Sequence, residues 1–187
     1  MAWSPFRRAH PYLLPSMKRA LHASARILAI DLHPQRYGYA VLETPLELLD
    51  WGVKRRYRKQ NRPGRYSLCG RLGSLLKMWS PSLVAIKEPP KPHTARIRNL
   101  LAGLIAEVGP YRIPVRCVPD EAPRRAFSDS DRLTKHAMAS SLLKHFPFLA
   151  SALPPKRKIW ESENYRMSIF VAAALALAIS RRLTAHH

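Results

Sequence analysis

The eleven residues from Ile169 to Ile179 (IFVAAALALAI) carry no polar side chain, and they constrain the fold more than any other stretch. A helix that is apolar on every side must be buried on every side. The run falls short of the roughly 18 apolar residues needed for a membrane span. It therefore reads as a central buried helix, expected to extend from about Ser162 to Leu183. A chain of 187 residues amounts to about one domain and can close a core around such a helix.

The elements that would wrap this helix are legible upstream. RILAID (26–31) is an apolar run that stops on Asp31, and YGYAVLE (37–43) alternates as a strand does. LELLDWGVKR (46–55) is a third strand candidate after Pro45. The connections are short, which predicts a meander of three antiparallel strands. SLCGRLGSLLKMWS (67–80) has apolar residues at 68, 72, 75, 76 and 79, a helical period. SLVAIKE (82–88) is a short strand ending in Glu88, and TARIRNLLAGLIAEVG (94–109) is an amphipathic helix closed by Gly109. VRCVP (115–119) gives a fifth strand, and a helix is expected over 129–146 with Asp129 or Ser130 as its cap. The order predicts an α/β domain over 26–187. Its five-stranded mixed sheet would have three antiparallel strands, then two parallel ones, with helices on both faces. Residues 1–25 hold no acid and include Pro5, Pro11 and Pro15. They read as a basic, disordered extension, with Met17 as an alternative start and organelle targeting as the alternative role.

Charge narrows the partner. Thirty-two Lys and Arg face twelve Asp and Glu, a formal net charge of +20. Such an excess points to a polyanion, nucleic acid before an anionic membrane surface. The cations are spread over loops and helices instead of lining one amphipathic face, so no membrane association is expected. Arg55, Arg56, Arg58, Lys59, Arg62 and Arg65 lie in a stretch with no carboxylate between Asp50 and Glu88. With Tyr57 and Tyr66 interleaved, they suit phosphate contacts and base stacking. Lys156, Arg157 and Lys158 form a second basic patch. Trp51, Trp79 and Trp160 read as core or rim aromatics, and Phe127 as a candidate stacking wedge. Cys69 and Cys117 match no zinc or disulfide spacing. A reducing, cytoplasmic, nucleoid-associated setting is the expectation.

With so few acids, their positions matter. Asp31 and Glu88 each end a short apolar strand, where ligands gather in α/β sheets. Glu163 or Glu161, ahead of the last helix, could complete a cluster, although acids are also favoured there by the helix dipole alone. Oxygen-only ligands suit Mg²⁺, with Mn²⁺ as substitute. Two such ions about 3.5–4 Å apart would clamp a phosphodiester undergoing displacement. His33, Asp120, Glu121, Asp129 and Asp131 read as turn, loop and capping residues.

ILAIDLHPQRYGYAVLE (27–43) resembles the opening strand–turn–strand of the RuvC branch of the ribonuclease-H-like nucleases. LVAIKEPP (83–90), Thr134-Lys135 and AAALALAIS (172–180) resemble later motifs of that family, and the likeness runs over roughly 26 to 182. It implies a ribonuclease-H-like fold with Asp31 and Glu88 as metal ligands. Glu163 or Glu161 would be the third, and Lys135 a phosphate-positioning cation. The implied activity is Mg²⁺-dependent, structure-selective cleavage of branched DNA, as in a Holliday junction resolvase, with a two-fold dimer for symmetric cutting. The family opens its last helix with aspartate, where this chain has Phe170, Val171, Ala172 and Ala173. That loss supports a non-catalytic nucleic-acid binder with a decayed site as a second reading. A YqgF-like nuclease acting on ribosomal RNA, a sister branch of the same fold that chain order does not separate, stands as a third.

Overall fold

The computed structural model describes residues 25–55, 71–88, 95–127, 133–158 and 160–184. Five strands, β1 (Arg26–Leu32), β2 (Arg36–Glu43), β3 (Glu47–Arg55), β4 (Leu83–Lys87) and β5 (Val115–Val118), form one sheet in the order β3-β2-β1-β4-β5. β1 pairs antiparallel with β2, and β2 with β3, while β4 joins β1 and β5 joins β4 in parallel. The mixed sheet expected from the sequence is present, with each strand within a residue or two of its expected bounds.

Helices cover both faces. α1 (Arg71–Trp79) and α2 (Ala95–Val108) enclose one core with Leu28, Ile30, Val41, Val84 and Ile86 of the sheet. On the other face, α3 (Ala122–Arg125), α4 (Lys135–Leu142) and α5 (Met167–Thr184) pack over Ile27, Ala29, Ala40, Leu42 and Ala85. Strand alternation explains the division: odd positions of β1 face α5 and even positions face α1 and α2. Small residues meet small residues across the α5 face, with Ala172, Ala173 and Ala176 against Ala29, Ala40 and Ala85 in one core. This lets the helix lie close to the sheet.

α5 is the central helix that the apolar run required, and it is buried from Met167 through Ser180. At 18 residues it is long and apolar enough to cross a membrane, but 78% of it is buried inside the protein. Burial therefore defines its role where the eleven-residue count alone suggested a length argument. The helix begins at Met167 and not at Ser162 because Asn164 Oδ1 accepts the Arg166 N–H at 3.0 Å. That local bond gives the backbone an alternative to the helix. The preceding helix is also shorter than its expected 129–146. Thr134 Oγ1 accepts the Ala137 N–H at 3.1 Å and caps α4, which ends at Leu142 before a 3₁₀ segment over Pro147–Ala152. The proposed caps Asp129 and Ser130 lie outside the described residues.

Gly38 shows how tightly α5 is seated. A Cβ there would fall 2.4 Å from the Ser168 carbonyl oxygen, a backbone atom that cannot swing aside. Gly38→Ala is expected to cost about 1–3 kcal/mol as overpacking. A urea midpoint equal to wild type would show that the helix start can give way.

Candidate functional site

Asp31 leaves the core at the end of β1. Parallel register pairs Ala29 with Ala85 and Ile30 with Ile86, so the next step places Asp31 beside Lys87 on the α5 face. The Asp31 side chain is only 1% exposed. His33 Nε2, across the tight turn, lies 2.8 Å from Oδ2. Lys87 Nζ lies 3.0 Å from Oδ1 as an ion pair outside hydrogen-bond alignment. The same ammonium donates a hydrogen bond to Asp120 Oδ1 at 2.9 Å. Arg124, one turn further on in α3, reaches Asp120 Oδ2 at 3.5 Å.

The result is a connected chain of polar groups, His33–Asp31–Lys87–Asp120–Arg124. Its two carboxylates are balanced by two cations of this same polypeptide. Burial would push the Asp31 carboxyl up, but the His33 hydrogen bond and the Lys87 charge outweigh it and hold the group below its ordinary 3.8. Burial would likewise push Lys87 down, and the Asp31 and Asp120 charges hold it above its ordinary 10.5. Both groups are ionised at neutral pH.

These shifts set a pH dependence. A lowered carboxyl stabilises the fold above the unfolded value near 3.8, and that stability is lost as pH falls through the lower folded value. A raised ammonium stabilises it below 10.5, and the contribution is lost as pH rises through the higher folded value. Unfolding stability followed from pH 2 to 11 should therefore have a plateau between these limbs. Asp31→Asn should remove its own share of the acid limb; superimposable acid limbs would contradict the pairing.

The other expected site residues fall elsewhere. Glu88 stays in the ladder, donating its N–H to Val118 O at 2.7 Å, so alternation turns its side chain to the opposite face from Asp31 and Lys87. Its charge is felt on that opposite face, by the exposed Cys117 thiol of β5. Glu163 precedes α5, and both its oxygens accept from Lys135 Nζ, at 2.9 and 2.7 Å. The expected ligand and the expected phosphate-positioning cation thus pair with each other. Glu161 closes a surface turn, its Oε2 accepting the Lys158 N–H at 2.9 Å. Phe170, Ala172 and Ala173 lie in the core at 0% exposure, so the first turns of α5 supply no acid.

Of the basic residues, Arg55 is exposed at the end of β3, as are Lys156, Arg157 and Lys158 before α5. Arg56, Arg58, Lys59, Arg62 and Arg65 lie outside the described residues. Trp51 is half-buried against Phe148, and Trp79 donates to Asp50 at 3.1 Å, as rim aromatics do. Trp160 differs: it is 79% exposed.

A divalent ion does not fit this arrangement. Among the described residues no three of His, Cys, Asp and Glu gather as a metal-holding group. An ammonium already stands between the two neighbouring carboxylates, and their charge is balanced. A doubly charged ion about 4 Å from that ammonium would meet repulsion on the order of 8 kcal/mol at an effective dielectric near 20. The expected set of Asp31, Glu88 and Glu163 is thus not assembled as ligands.

Lys87, Asp120 and Arg124 were missed as site residues, yet one sequence signal pointed to the first. Leu28-Ala29-Ile30-Asp31 and Val84-Ala85-Ile86-Lys87 share their Ala-Ile step. Aligning those steps, as parallel pairing does, puts Lys87 and not Glu88 beside Asp31. Asp120 and Arg124 carry no comparable signal, because a turn and a four-residue helix bring them in.

No protein-family model and no curated protein matches this chain in sequence. Solved structures do match in fold. RuvC of Thermus thermophilus in complex with Holliday junction substrate superposes with a TM-score of 0.57 at 15% identity, covering 87% of this chain and 95% of its own. A second Thermus thermophilus RuvC structure gives 0.57 at 16% identity, with 85% and 96% covered. The yeast mitochondrial Holliday junction resolvase Ydc2 gives 0.60 at 14% identity, with 90% and 86% covered. The chain has the ribonuclease-H-like α/β fold that these resolvases share.

Proposed function

We propose that the protein binds branched nucleic acid, DNA junctions foremost, on a resolvase-type scaffold whose Asp31 is neutralised from within the chain. The observation that carries this is Lys87 Nζ, 3.0 Å from Asp31 Oδ1 and 2.9 Å from Asp120 Oδ1. It occupies the place where a cleaving site would need a divalent cation. Affinity comes from a chain of net charge +20, and exposed Lys156, Arg157 and Lys158 supply phosphate contacts beside the start of α5. Lys87 and His33 hold the Asp31 carboxylate in one orientation and keep it from repelling the phosphate backbone.

Metal-dependent cleavage is the second reading. It is favoured by Asp31 being held ionised at a strand end in a fold shared with resolvases. It requires Lys87 to withdraw from Asp31, and Asp120 offers the ammonium a place to stay.

The test is fluorescence anisotropy with a labelled four-way junction, a linear duplex and a structured RNA, each in Mg²⁺, Mn²⁺ or EDTA at matched ionic strength. The same samples are then run on denaturing gels. Junction binding tighter than duplex binding, unchanged by EDTA and with no nicks, is expected. Paired nicks in opposed strands, abolished by EDTA, would establish the second reading. Tighter RNA binding would transfer the proposal to an RNA ligand, and equal weak binding of all three would overturn it.

A further inference from the structure

The surface turn ahead of α5 presents an aromatic to solvent in a way that core packing does not explain. Glu161 donates its N–H to Lys158 O at 3.1 Å and accepts the Lys158 N–H on Oε2 at 2.9 Å. The Glu161 carbonyl also accepts from Arg157 Nη1 at 2.9 Å. These three bonds tie Arg157 and Lys158 to Glu161, and Trp160, next to Glu161, is 79% exposed. Lys158 Nζ stands 5.6 Å from the indole centroid. Four residues beyond Glu161, Tyr165 is 49% exposed with the Arg166 guanidinium 5.9 Å from its ring.

The strip 156–166 therefore combines four cations, Lys156, Arg157, Lys158 and Arg166, with two exposed rings, Trp160 and Tyr165. Its two acids are already engaged, Glu161 in the turn and Glu163 with Lys135. The strip also ends at the candidate site. Tyr165 O accepts from Ser168 Oγ at 2.7 Å, and the Ser168 carbonyl lies against Gly38, the register partner of Asp31.

We infer that Trp160 is a stacking platform for unpaired bases, fed by the flanking cations along the phosphate backbone. This rests on the nucleic-acid reading above and names the part of the ligand that is read: bases out of the duplex stack, not duplex itself. Aromatic faces accept any base, whereas a paired and stacked base offers them no free face. A surface indole held in a preformed turn also loses little freedom on binding. The cations contribute through phosphate contacts and are sensitive to salt. The rings contribute through stacking, which is not.

The experiment uses the full chain with three labelled probes: a twenty-residue oligothymidine, a four-way junction and a blunt duplex. Trp160→Ala is expected to weaken oligothymidine binding about tenfold or more, in the range of one lost stacking contact. The junction should weaken less and the duplex by less than twofold. Trp160→Phe should recover most of the loss. The salt dependence should be the same in wild type and Trp160→Ala, and thermal midpoints should agree because the indole is exposed. Trp160→Ala binding oligothymidine as wild type does, or weakening all three probes equally, would overturn the platform while leaving the nucleic-acid reading intact. Wild-type protein that binds none of the probes would overturn both.

Discussion

Lys87→Glu is expected to convert the Asp31 edge into a divalent-cation site. The substitution removes the one ammonium between Asp31 and Asp120 and adds a carboxylate on the same face. Three oxygen donors from the ends of β1, β4 and β5 would then lie together, a set suited to Mg²⁺ or Mn²⁺. Without metal, like charges at one buried place should leave the variant well below wild-type stability at neutral pH. Added Mn²⁺ should restore much of it: a ligand at a hundredfold its dissociation constant contributes about 2.7 kcal/mol, roughly 5–10 °C in a domain of this size. Wild-type protein should show no such shift. An equal rise in both proteins, followed by thermal denaturation with and without MnCl₂, would contradict the internal pairing.

The second large effect concerns stability alone. Lys87→Met strands the Asp31 carboxylate, 1% exposed, with His33 as its remaining partner among the described residues. Removing one partner of a buried pair costs about 3–5 kcal/mol, and the retained His33 contact places this case toward the lower figure. The double variant Asp31→Leu/Lys87→Met should return close to wild type, since an apolar pair of similar volume often replaces a buried ion pair without loss. Urea unfolding of the two single variants and the double variant measures the coupling directly. Additive losses would mean that the two side chains stabilise the fold independently.

Much of this architecture is legible in the chain because local and global signals agree. The run ILAID, the alternating YGYAVLE and the uniformly apolar Ile169–Ile179 each admit one placement, and the five-stranded sheet around a central helix follows. The site is harder to read, because it depends on phase as well as on type. Glu88 looked like a strand-end ligand by position, yet one residue of phase turns it to the face opposite Asp31. Lys87 looked like an ordinary lysine and is the buried partner. Glu163 and Lys135 were separately credited with chemistry, and the fold brings them within 2.7 Å of each other. Helix bounds failed where side chains compete with the backbone, at Thr134 and Asn164.

The central claim is that Lys87 stands where a metal ion would. Electron paramagnetic resonance of Mn²⁺ titrated into the wild-type protein, alone and bound to a four-way junction, tests it most directly. No Mn²⁺ bound by the protein in the micromolar range beyond what the junction alone takes up, with the junction uncut, is the expected result. One or two ions bound at micromolar concentration, and lost in Asp31→Asn, would show that the ammonium yields its place and that the site is a metal centre after all.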